Sequence, residues 1–180
     1  MGKMKSKNGE PAAANRRDEI LEAAVAVFSE HGYYSATTAQ VAERVGISQP
    51  YVFKFFKSKA ELFAAALKLA FERIVRAFSG VDASSDRLEQ AMIQAYEELM
   101  RTHHHEIVLQ MQAMVIKEEP IRQVMREGIH QVTASVEARF REAGIAQPEV
   151  AVSMFMANGM LCNISAVLEM PELKPKHPER

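Results

Sequence analysis

Residues 37–63 read TTAQVAERVGISQPYVFKFFKSKAELF, and two breaks inside that run decide how the chain folds. Thr37 stands three residues before Gln40, the spacing of a capping box in which two side chains satisfy each other's orphan backbone donors. A short helix follows with Val41, Ala42 and Val45 inward. Gly46 permits a sharp turn, Ile47 plugs it, and Ser48 can cap a third helix from Gln49 to about Phe56, with Pro50 tolerated in the first turn. Two short helices around a glycine-hydrophobic-serine turn make a helix-turn-helix over about residues 37–56.

Upstream, Ile20, Leu21, Ala24, Val27 and Phe28 recur at helical spacing from Arg16 until Gly32 stops them. Residues 1–15 carry Lys3, Lys5 and Lys7 without periodicity and read as a mobile basic tail with no apolar run of a secretory signal. Downstream, Leu62 to Phe78 mark one long helix and Leu88 to Met100 a second, opened by Asp86 and Glu89. A shorter helix carries Ile107 to Val115. Pro120 opens another with Ile121, Val132 and Phe140 on one face and Gly144 at its end, and Pro148 opens the last. Residues 171–180, with three prolines, read as a frayed tail. No segment alternates with period two, so the expected fold is all-α with about eight helices. It divides into a three-helix N-terminal domain over 16–60 and a helical bundle over 61–170, with the fourth helix shared.

Composition agrees with a packed interior: 48% of residues are apolar and 25% charged. The single cysteine, Cys162, excludes an internal disulfide and a cysteine-rich zinc module, which makes the cytoplasm the default location. Residues 150–168 hold no charge over nineteen positions, near membrane-spanning length, but Ser153, Asn158, Asn163 and Ser165 would be costly in lipid. The segment reads as a helix buried against protein, with no membrane partner. Net charge is −1, yet residues 1–60 hold nine Lys/Arg against six Asp/Glu while the remainder holds thirteen against seventeen. A basic front on an acidic body fits one end meeting a polyanion.

A helix-turn-helix lays its second helix in the DNA major groove, so Gln49, Pro50, Tyr51 and Lys54 are the candidate base contacts. Gln49 suits adenine, and Pro50 or the Tyr51 ring a thymine methyl. Candidate phosphate contacts are Arg16, Arg17, Thr37, Thr38, Ser48, Lys57 and Lys59. A helical hairpin with a solvated basic face, docking a protein partner, is the alternative reading of the same residues.

The run 37–63, with ILEAAVAVFSEHGY before it, resembles the N-terminal signature of the TetR family of bacterial transcriptional regulators, a match covering about residues 16–65. The resemblance implies a regulator, usually a repressor, that binds a palindromic double-stranded DNA operator as a homodimer. It also implies an all-α domain whose last two helices pair with their mates and whose effector pocket switches DNA affinity. Thr37 and Thr38 match the family's threonines at the start of the second helix, Gln49-Pro50 a pair that reads bases, and Lys59 a phosphate-binding lysine. Phe53 departs from a usual tyrosine, removing a hydroxyl for phosphate, Phe55 from a common histidine, and Tyr51 from a smaller residue.

The uncharged last helix then has a use. Phe140, Phe155, Gly159, Leu161, Ile164 and Leu168 are the candidate dimer seam, with Ala157 and Gly159 permitting close approach; a central helix of a monomeric bundle is the alternative. Eleven methionines, adaptable packers, suggest a pocket for a small apolar or aromatic effector lined by Phe71, Met92, Tyr96, Met100, Met111, Met114 and Met125, although such a stripe also serves as plain core. Gln110, Gln112 and Asn158 are candidate polar groups for orienting it. Three consecutive histidines, His103 to His105, point about 100° apart on a helix and cannot converge on one metal, so the run reads as a polar, solvated helix boundary, and an enzyme or metal protein would need partners such as His130. No catalytic motif, metal spacing or cofactor fingerprint is recognisable.

Overall fold

The computed structural model describes residues 10–176. Eight α-helices follow in chain order: α1 (Glu10–Ser35), α2 (Thr38–Val45), α3 (Gln49–Val52), α4 (Lys59–Ser79), α5 (Leu88–Thr102), α6 (His104–Ala113), α7 (Glu119–Glu142) and α8 (Pro148–Val167), with a 3-10 turn at Pro171–Leu173. There is no strand among the described residues. The expected tail over 1–15 is helical from Glu10, where Pro11 can occupy the first turn and three alanines favour helix. Residues 1–9 and 177–180, the rest of the two expected tails, lie outside the described residues.

Local chemistry sets the helix ends. The Gln40 backbone N–H donates to Thr37 Oγ1 at 3.2 Å and the Thr37 N–H donates to Gln40 Oε1 at 2.8 Å, so the expected capping box forms. Gly46 takes φ 71°, which lets the Ile47 N–H turn back to the Ala42 carbonyl at 3.0 Å. Gly32 at φ 75° breaks α1 internally, so helical hydrogen bonding resumes for a few residues beyond the expected stop. The expected third helix, Gln49 to Phe56, is shorter than its sequence suggests. After Val52 the backbone tightens, with the Phe55 N–H donating to the Val52 carbonyl at 3.0 Å. Val52 and Phe56 are both buried as anchors, and an aromatic run with α4 capped by Ser58 directly after it leaves no room for another regular turn.

The buried apolar side chains form one continuous cluster from Ile20 to Cys162. Helix α4 is its spine. Near its start Phe63 meets Phe28 of α1 edge-on at 5.0 Å, and near its end Phe78 meets Phe155 of α8 at 5.5 Å. It runs along α7, where Gly128 lies directly against the Phe71 ring. Helix α6 packs on α1 and so joins the bundle to the first helix. Helix α8 is covered only in part. By length and composition it could span a membrane, and the described residues cover it on one side only: Val152, Phe155 and Cys162 are buried while Val150, Met154, Leu161 and Leu168 stand exposed.

Candidate nucleic-acid interface and internal cavity

The hairpin presents Gln49, Pro50, Phe53 and Lys54 to solvent, with Tyr51 half-buried. Tyr51 is braced on both sides: its ring meets Phe55 edge-on at 5.5 Å, and the Lys54 ammonium lies 4.9 Å from its centroid. The Gln49 amide Nε2 donates to Thr38 Oγ1 at 2.8 Å. That bond orients the amide and leaves its carbonyl oxygen and second N–H for a base edge. Phe53, 43% exposed, adds an apolar side chain to this face that the sequence reading credited only with a missing hydroxyl.

The candidate phosphate contacts separate into two groups. Thr37, Ser48 and Lys57 are exposed, as is Arg17, whose guanidinium stacks 5.1 Å from the Phe56 ring centroid. Ser48 makes no capping bond with its side chain. Three others are engaged internally. Thr38 is 6% exposed and accepts from Gln49, which corrects its assignment as a phosphate contact: its place at the start of α2 turns the hydroxyl inward. Lys59 donates to the Tyr34 and Ala36 carbonyls at 3.2 Å each and lies over the Tyr33 ring, so its charge ties the end of α1 to the start of α4. Arg16 pairs with Glu19 at 2.5 Å.

Behind this face a cavity of about 70 Å³ opens between α4, α5, α6, α7 and α8. Of the expected lining, Phe71 and Tyr96 reach it, with the polar candidates Gln110 and Asn158. Met92 and Met100 are buried core beside Tyr96, Met111 and Met125 are half-buried elsewhere, and Met114 is exposed, so none of these five lines it. The methionines that do are Met156 and Met160 of α8, hidden from a sequence reading because an uncharged helix shows no contrast between inner and outer faces. Gln112 instead donates to the Ser29 carbonyl at 3.2 Å. Inside the cavity wall the Tyr96 hydroxyl donates to Asn163 Oδ1 at 2.7 Å, and burial pushes that phenol up to about 12. Burial likewise raises the Cys162 thiol.

Beside the cavity Arg73 of α4 forms ion pairs with both Glu106 of α6 and Glu22 of α1. Glu106 is 3% exposed, although it follows the three histidines that read as a solvated helix boundary. His103 does sit at that boundary, between α5 and α6, and His104 and His105 are exposed. Burial first, and then the Arg73 charge, lower the His103 imidazole below its ordinary value. His105 Nδ1 lies 2.6 Å from Ser29 Oγ.

The expected dimer seam also divides. Leu161 and Leu168 are exposed on the outer side of α8, and Ile164 is half-buried. Phe140 and Phe155 are a correction: they are buried and stack edge-on at 5.6 Å inside this chain, because large aromatic rings on α7 and α8 fill the seam between those two helices. Gly159 lines the cavity rather than the outer stripe. The outward apolar side chains that the sequence reading missed are Val150, Met154 and Val167.

Comparison with known proteins meets this geometry at the hairpin. Residues 20–66, from within α1 to within α4, match the model of "Bacterial regulatory proteins, tetR family". The chain is 35% identical over 94 residues to the HTH-type transcriptional repressor KstR of Mycolicibacterium smegmatis, covering 52% of this chain and 43% of that protein. It is 48% identical over 50 residues to the HTH-type transcriptional repressor AcnR of Corynebacterium diphtheriae, covering 28% of this chain and 26% of that one. The HTH-type transcriptional activator FasR of M. smegmatis is 38% identical over 60 residues, which cover 33% of this chain and 27% of FasR. The chain thus spans less than half the length of these relatives. Over most of its length the fold is that of a transcriptional regulator from Rhodococcus sp. Rha1 (TM-score 0.74, 21% identity, 88% of this chain and 87% of that one). It is equally that of FadR from Bacillus subtilis, solved with stearoyl-CoA (TM-score 0.72, 15% identity, 86% and 89%). Residues 20–66 thus carry the N-terminal signature of the tetR family of bacterial regulatory proteins, on a chain whose all-helical fold is shared with solved transcriptional regulators.

Proposed function

We propose that this protein is a ligand-responsive DNA-binding transcriptional regulator and not an enzyme: a cytoplasmic repressor that binds a palindromic operator as a homodimer and leaves it when a small apolar or aromatic effector occupies the bundle. The observation that carries this reading is the Thr38–Gln49 hydrogen bond, which sets a base-reading amide beside Pro50, Tyr51 and Lys54 on an exposed helix. Gln49, Pro50, Tyr51 and Lys54 read bases. Arg17, Thr37, Ser48 and Lys57 hold phosphates. The apolar outer stripe of α8 supports pairing with a second copy, which sets two recognition helices about one DNA turn apart. The internal cavity supports the effector, as does the stearoyl-CoA bound by the B. subtilis FadR of the same fold. No separate cofactor enters this reading.

The test is binding to DNA from immediately upstream of its own gene and to a scrambled fragment, across a salt series. Tight, sequence-dependent binding is expected. Gln49→Ala should cost about 1 to 3 kcal/mol at particular base pairs, and Lys57→Ala should weaken all sequences alike and lower the salt slope by about one. Identical effects of the two substitutions would reject the division of roles.

A further inference from the structure

We infer that the cavity receives a small, uncharged, largely apolar compound whose carbonyl oxygen is held by the side-chain amide of Gln110. This rests on the effector-responsive reading above and adds to it the chemistry of the ligand. Gln110 lies on α6, is 4% exposed, lines the cavity, and its Nε2 has no hydrogen-bond partner among the described residues. A buried donor is costly to leave unmade, so an unpartnered one on a side chain that lines a cavity marks where an acceptor belongs. The other buried polar pair in the wall agrees in sign. Tyr96 spends its hydroxyl proton on Asn163 Oδ1, which leaves the Asn163 amide with donors to offer and its oxygen already engaged.

Charge narrows the ligand further. Of the described residues lining the cavity, Glu97 is the only aspartate, glutamate, lysine or arginine; it is exposed, and Lys174 holds it at 3.1 Å. The buried Tyr96 and Cys162 stay neutral at physiological pH. An anionic ligand would therefore meet a carboxylate and find no cation among the described lining residues. Glu106, one turn before Gln110 on α6, also has an unpartnered oxygen, Oε2, but it belongs to the Arg73 ion pair and does not line the cavity. Size completes the description. About 70 Å³ holds several waters and is roughly half the ~150 Å³ apolar cavity that accepts benzene, so the ligand is a compact ring or short chain. Met156 and Met160, both flexible, can yield the remaining space.

The experiment follows the Met156 and Met160 methyl signals by 13C NMR in the full chain, without DNA, during titration with cyclohexanone, methylcyclohexane and cyclohexanecarboxylate. Both methyls should move saturably with cyclohexanone, about tenfold less tightly with methylcyclohexane, and not at all with the carboxylate at equal concentration. In Gln110→Met the tenfold preference should vanish while methylcyclohexane still binds. The inference is overturned if methylcyclohexane binds as well as cyclohexanone, if the carboxylate binds better, or if neither methyl moves with any probe. It is overturned equally if Gln110→Met keeps the preference and only lowers Tm, the result expected of an amide that serves Glu106 within the fold. Should that variant fail to fold, the three probes on the unmodified chain decide alone. DNA release is measured apart. The carbonyl preference without any effect on DNA affinity would reject the effector reading and leave the ligand chemistry standing, whereas release by cyclohexanone with both methyls unmoved would do the reverse.

Discussion

Gly128 lies where α7 crosses α4, and a Cβ placed on it would come within 2.1 Å of the Phe71 ring. Gly128→Ala should therefore destabilise by about 1 to 3 kcal/mol through overpacking. Adding Phe71→Leu should cost less than the two separate losses summed, a non-additivity that urea unfolding can read. His103 makes a second prediction at this scale. Its folded value lies below 6.5, first through burial and then through Arg73, so the unfolded chain binds more protons as pH falls through that ordinary value. Stability should be complete above about pH 6.5, fall as pH drops toward the depressed value, and stop falling below it for this group; His103→Gln should flatten that part of the profile. Legibility at this scale tracks sequence distance. The capping box of Thr37 and Gln40 is visible because its partners lie three residues apart. Thr38 meets Gln49 across eleven residues and Glu106 meets Arg73 across thirty-three, and no local pattern announces that either is buried.

At the scale of elements, the N-terminal hairpin positions the proposed base-reading residues from beneath. Thr38→Val keeps the buried shape and removes the acceptor that orients Gln49. The variant should fold like the parent yet lose discrimination at the base pair Gln49 reads, with non-specific affinity unchanged; fluorescence anisotropy on base-substituted duplexes checks this. Equal loss on every duplex would mean that Thr38 acts on the whole hairpin instead. Helix type and order were legible throughout, since apolar spacing, prolines and glycines are local signals. The shortening of α3 after Val52 was not, because it follows from anchoring Val52 and Phe56 in a core built by α1 and α4. The inner face of α8 was equally hidden: with apolar residues all round, only the neighbours α4, α5, α6 and α7 decide that Phe155 turns in and Met154 turns out.

For the whole molecule, α4 and α6 connect the proposed DNA-reading face to the cavity. Helix α4 starts at the hairpin and ends against Phe155, and Arg73 midway along it grips α1 and α6 together. The outward stripe of α8, with Leu168 57% exposed, is where a second copy is proposed to dock. Leu161→Glu lies on that stripe and away from the core, so sedimentation should show a folded monomer with greatly weakened DNA binding. An unchanged dimer would place the seam elsewhere. The most direct measurement of the central claim is selection of bound duplexes from a random DNA pool by the unmodified protein. Enrichment of an inverted repeat with half-sites about one helical turn apart is expected, lost in Leu161→Glu. A pool that stays random, or converges on a site without two-fold symmetry, would contradict it.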